Sequence, residues 1–110
     1  FDDLYFSPIL FSSSANILFK IIKHKKIGIF HLSNKHNLNY FVFAKKLIKY
    51  LRLKNKIIKK SSKDYGINLL YKHDVSSLSM RYTRQKLKVN YVKLNEIFKF
   101  FKNKINAKKN

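Results

Sequence analysis

Between residues 40 and 51 the apolar side chains Tyr40, Phe43, Ala44, Leu47, Ile48 and Leu51 fall at i, i+3, i+4, i+7, i+8 and i+11, while Lys45, Lys46, Lys49 and Arg52 take the other face. That spacing matches the turn of an α-helix and predicts an amphipathic one, whose stripe must lie on a core. Asn37 or Asn39 can cap its start with a side-chain oxygen. Just before it, IGIFHLS is short, β-branched and aromatic, and Lys25 and Lys26 ahead of it read as a connection. A buried strand fits this segment best, with Gly28 letting the chain turn into it.

The same logic places three more helical segments. Ser12, Ser13 and Ser14 offer N-cap hydroxyls ahead of ANILFKIIKH, where Ala15, Leu18 and Ile22, joined by Ile17 and Ile21, predict a helix over residues 14–24. Ser79 can cap a short helical turn from Met80 to Leu87, and Leu94, Ile97, Phe98, Phe101 and Ile105 mark a closing helix from about Lys93. Residues 54–63 read as a loop with a short strand at Ile57 and Ile58, and residues 66–74 as an irregular connection. The basic tail over 106–110 is expected to fray. No internal repeat is present, so the pattern is mixed α/β, short strands with three to four helices, in one domain.

Charge is the loudest compositional signal. Lys and Arg number 25 against 5 Asp and Glu, a formal charge of +20, which points to a polyanionic partner. Lysine accounts for 22 of those cations, and with Ile and Asn it dominates the chain, a bias that AAA, ATA and AAT codons of an AT-rich genome impose. Proteins that clamp phosphates bidentately favour arginine, whose planar fork an ammonium cannot copy. The aromatic residues Tyr40, Phe43, Phe98 and Phe101 sit on apolar stripes and not among the lysines, so they read as core and not as base-stacking platforms. The basic face of Lys45, Lys46, Lys49 and Arg52 is accordingly read as solvated.

Other chemistries find little to build on. The histidines His24, His31, His36 and His73 are scattered without a ligand motif, and there is no cysteine, so no metal site is expected. His31 reads as a structural histidine in the strand. Gly28 and Gly66 are the only glycines, which leaves no glycine-rich phosphate loop and no dinucleotide site in this stretch. Tyr50 with Lys54, and Tyr82 with Lys86, match a Tyr-x-x-x-Lys spacing, but chance alone supplies roughly 1.4 such pairs in a chain of this composition. Apolar runs fall short of a membrane span, and a cytoplasmic, soluble protein in a reducing compartment is expected. Because the chain opens on Phe1 and its only Met is Met80, it is expected to be a piece of a longer one.

The order of landmarks carries more than any one of them. YFSPILFSSSANILFKII is followed by GIFHLSNKHNLNYFVFAKKL, then by KHDVSSLSMRYTRQKLKV and a closing amphipathic helix. This order resembles the C-terminal third of dTDP-4-dehydrorhamnose reductases and related sugar-nucleotide reductases of the extended short-chain dehydrogenase superfamily. Ser7, Pro8 and Ile9 look like the family's turn into a helix. Gly28, Phe30, His31, Leu32 and Ser33, then Tyr40, Phe43 and Ala44, look like its strand and following helix. Ser76, Ser77, Leu78 and Ser79 fit the second half of a late RPxxSxLd motif, whose first half departs, with Lys72 and His73 in place of Arg and Pro.

The resemblance covers about residues 3–103 and implies a fold and a function. Residues 1–105 would be a fragment of the small substrate-binding subdomain of a Rossmann-type reductase, docked on a Rossmann half lying upstream. That half would bind NADH or NADPH and carry the catalytic Tyr and Lys, so no catalytic or cofactor residue is expected here. The substrate would be a 4-keto deoxysugar nucleotide in polysaccharide precursor synthesis, contacted by Lys72, Ser76 and Ser77. A non-catalytic relative with the same pattern is the regulatory subunit of methionine adenosyltransferase. The alternative from another class is a small basic RNA-binding protein of ribosomal type, whose affinity would fall steeply with salt.

Overall fold

In a computed structural model that describes residues 1–67 and 75–107, strand β1 (Tyr5–Phe6) pairs antiparallel with β2 (Leu38–Asn39), Tyr5 opposite Asn39 and Phe6 opposite Leu38. Helix α1 (Phe11–Lys23) separates the strands in sequence, and α2 (Tyr40–Leu51) follows β2 directly. A 3-10 turn covers Ser62–Tyr65, and α3 (Arg81–Leu87) and α4 (Leu94–Ala107) come last. The described residues are thus mixed α/β, four helices with a two-stranded antiparallel sheet.

Helix α2 starts where the sequence dictates. Asn39 is the cap, its Oδ1 accepting the Val42 N–H at 2.8 Å, while the N–H groups of Tyr40 and Phe41 reach the carbonyls of Leu4 and Phe1 at 3.2 and 2.9 Å. Amides that a helix leaves without an intrahelical acceptor are thereby satisfied, two of them by the N-terminal segment itself. That segment is tied down on its other side as well. The Asp3 carboxylate accepts from the hydroxyls of Ser61 and Ser62, both at 2.7 Å, and from the Ser62 N–H at 2.9 Å. Asp2 forms an ion pair with Lys59 at 3.2 Å, and a capping box between Ser61 and Asp64 closes the 3-10 turn.

Two apolar clusters hold the elements together. In one, buried Ile17, Met80 and Leu87 join α1 to α3, with Ile21, Phe30, Leu32, Val89 and Tyr91 packed around them. The other joins α2, α4 and the sheet through aromatic rings. Phe43 meets Phe98 and Phe6 edge-on at 5.5 and 5.1 Å, Tyr50 lies 5.5 Å from Phe98, and Phe6 stacks on Tyr40 at 4.6 Å. The Cα trace spans 47 × 43 × 18 Å, its short axis about that of two packed layers. Even so, α2 contains no fully buried residue.

Several expectations change. The segment IGIFHLS forms no strand: its residues alternate as a strand's would, with Phe30 and Leu32 turned to the core and Ile27 and Ile29 left 94% and 81% exposed, but no neighbouring strand among the described residues forms a ladder with it. Ile57 and Ile58 are not a strand either, and of the two short strands that do form, one lies just ahead of the Ser7–Ile9 turn and the other in a stretch read as a helix cap. Helix α1 begins at Phe11, ahead of the serines, with Leu10 as its cap; Ser14 instead returns its hydroxyl to the Leu10 carbonyl at 3.4 Å. Its buried residue is Ile17, whereas Leu18 and Ile22 are exposed. Helix α4 runs through Ala107, and residues 108–110 of the tail expected to fray lie outside the described residues. Tyr40, counted as core, is 49% exposed, covered on one ring face by Phe6.

Candidate functional site

The turn between the first cluster and α2 is built by side chains reaching for backbone. In residues 31–37 the His31 carbonyl accepts the Thr83 hydroxyl at 2.9 Å, and the Ser33 Oγ accepts the Leu78 N–H at 3.1 Å. The Asn34 amide donates to the Val92 carbonyl at 3.0 Å while its Oδ1 takes the His36 N–H at 3.0 Å. Asn37 Oδ1 accepts both the N–H and the hydroxyl of Ser76, at 3.0 and 2.8 Å. Ser33, Asn34 and Thr83 are buried, so the bonds they make are partly shielded from competing water and a chain without regular pairing is held in one path, while the Asn37–Ser76 bonds lie exposed.

This clasp decides what each expected site residue can do. Ser76 lies exposed at its outer edge and Ser77 beside it is half-buried. Because the Ser76 hydroxyl proton is committed to Asn37, what Ser76 offers a ligand is oxygen lone pairs, which suit a sugar hydroxyl and not a phosphate oxygen. Lys72 and His73 lie outside the described residues. His31, read from the sequence as a structural histidine in a strand, contributes through its backbone carbonyl and is itself exposed. Asn34 and Thr83 escaped the sequence reading, and Asn37 was read only as a possible helix cap; the one available signal was the density of Ser, Thr and Asn around HLSN and SSLS, residues that bond to nearby backbone.

Nearby, Gly28 adopts φ +133°, a region that side chains rarely enter, and a Cβ there would stand 3.3 Å from the Tyr82 hydroxyl. Tyr82 packs on Phe30 with ring centroids 5.4 Å apart, and the Lys86 ammonium lies over its ring, 5.8 Å from the centroid. Lys86 therefore faces the ring and not the hydroxyl, an arrangement unlike a proton-transfer pair.

Concavities on the described surface include three of similar size. An apolar one of about 450 Å³ is bounded by Phe6, Pro8, Leu10, Phe43, Ile97 and Phe101. A second, of about 410 Å³, lies between Lys46, Lys49 and Tyr50 of α2 and Leu94, Asn95 and Phe98 of α4. The third, of about 450 Å³, is lined by Arg81, Arg84, Gln85, Lys88, Val89 and Asn90. Among the described residues no cluster of three or more His, Cys, Asp or Glu side chains could hold a metal, and no helix is long and apolar enough to cross a membrane. No protein-family model, curated protein or solved structure matches the chain.

Proposed function

We propose that this chain is the C-terminal, substrate-side portion of an NAD(P)-dependent sugar-nucleotide reductase that reduces the 4-keto group of a dTDP-6-deoxyhexose. The observation that carries the reading is the bond from the Leu78 N–H to the Ser33 hydroxyl. The two stretches that resemble the reductases, one around GIFHLS and one around SSLS, stand 45 positions apart and meet there. Asn37 and Ser76 extend that meeting to the surface, where a ligand can reach it.

Apolar exposure supports the same reading. Phe11, Ile22, Ile27 and Ile29 are 88, 74, 94 and 81% exposed along α1 and the segment after it, more than a free-standing small domain ordinarily shows on adjoining elements. A larger body of the same protein, the Rossmann half, would cover them. This chain's residues do not fit a dinucleotide: Gly28 and Gly66 are its only glycines and, among the described residues, neither opens a helix. The cofactor, NADH or NADPH, and hydride transfer belong to that other half. Here the task is orientation, with Ser76 and Ser77 toward the sugar and Lys72 supplying a cation for the nucleotide phosphates.

The test is to read the coding DNA upstream of Phe1. An in-frame strand, a Gly-x-x-Gly-x-x-Gly turn and a Tyr-x-x-x-Lys helix are expected. A start codon shortly before Phe1 with no such domain would contradict the proposal and turn attention to RNA.

A further inference from the structure

We infer that the cleft on the outer face of α3 is a binding site for the paired phosphates of a small diphosphate ligand. Arg81, Arg84, Gln85 and Lys88 stand at i, i+3, i+4 and i+7, on one face, while Met80, Thr83 and Leu87 are buried on the other. The chain holds 3 arginines among its 25 cations, and two of them line this cleft. Guanidinium forks match phosphate oxygens bidentately, whereas the lysines used elsewhere act as point charges.

One fork is already held in place. The Arg84 guanidinium stacks on the half-buried Tyr91 ring, 4.7 Å from its centroid, so less side-chain freedom remains to be lost when an anion arrives. Like charges three and four residues apart on a helix repel one another. Among the described residues neither arginine nor Lys88 is paired with a carboxylate, so a bound anion would relieve that repulsion. Amides of Gln85 and Asn90 complete a donor-rich lining, and a volume of about 450 Å³ suits a small phosphorylated molecule. The inference is independent of the reductase reading.

Calorimetric titration of the chain with inorganic pyrophosphate and, separately, with a short RNA hairpin at physiological salt tests it. Saturable 1:1 pyrophosphate binding is expected, weakened by about tenfold or more in both Arg84→Gln and Arg84→Lys, the latter because charge without the fork does not suffice. Lys99→Gln, an exposed charge on α4, removes the same charge elsewhere and is expected to leave binding unchanged. Circular dichroism checks that each variant is folded, and Arg81→Gln provides a second variant if Arg84→Gln is not. No pyrophosphate binding, equal weakening by Lys99→Gln, or binding confined to the RNA hairpin would each overturn the inference.

Discussion

The buried Ser33 hydroxyl accepts the backbone N–H of Leu78 at 3.1 Å, joining two segments that the sequence keeps 45 positions apart. Ser33→Ala takes away that acceptor in a partly buried place. A loss of about 1–3 kcal/mol is expected, because an N–H left without a partner keeps its desolvation cost. Urea denaturation followed by circular dichroism measures it, and a loss under a few tenths would mean that water replaces the hydroxyl.

Gly28→Ala is expected to destabilise for two separable reasons. The backbone at φ +133° disfavours any side chain, at about 1–3 kcal/mol, and the new Cβ meets the Tyr82 hydroxyl. Tyr82→Phe removes only the nearest of the atoms that the new Cβ would meet, so the double variant should recover part of the loss and never all of it. Full recovery in thermal melts would place the whole cost in the contact.

Asn39→Ala removes the cap of α2 and, with it, the bond from the Asn39 amide to the Asp2 carbonyl at 2.9 Å. Loss of the cap alone costs about 0.5–2 kcal/mol. Asn37→Ala should cost α2 little and instead loosen Ser76. Amide hydrogen exchange distinguishes the two: faster exchange at Val42 for the first, at Ser76 for the second.

Asp3→Ala strips three hydrogen bonds to a charged acceptor from the Ser61–Ser62 turn. Bonds of that kind contribute about 1.5–3 kcal/mol each before relaxation. The N-terminal segment should then exchange and be cleaved faster, while α3, packed in the other cluster, keeps its protection. Limited proteolysis with mass spectrometry reads the result.

The helices were legible because each repeats an apolar stripe over several turns, a signal that survives without knowledge of the partner. Boundaries and faces were less so. Apolar residues in α1 occupy 17, 18, 19, 21 and 22, an arc of about 200° at 3.6 residues per turn, so periodicity could not choose Ile17, at one edge of it, over Leu18 for the core. Strands failed for a different reason: alternation around Phe30 and Leu32 is real, but a strand exists only with a hydrogen-bonding neighbour, which local sequence does not supply. The β1–β2 pair is two residues a side and too short to leave a pattern. At the candidate site, Ser76 and Ser77 were singled out by the resemblance alone, whereas Asn37 was weighed as a helix cap, a role its side chain gives up to hold Ser76. Arg81 and Arg84 were passed over among so many lysines, although their type was the clue.

The most direct measurement is NADPH or NADH oxidation, followed by its absorbance, when the longest in-frame product containing this chain meets a dTDP-4-keto-6-deoxyhexose. Oxidation that depends on the sugar nucleotide, and is weakened by Ser76→Ala while the fold is kept, is the expected result. A product that leaves the cofactor untouched and instead binds RNA, with affinity falling steeply as salt rises, would contradict the reductase reading.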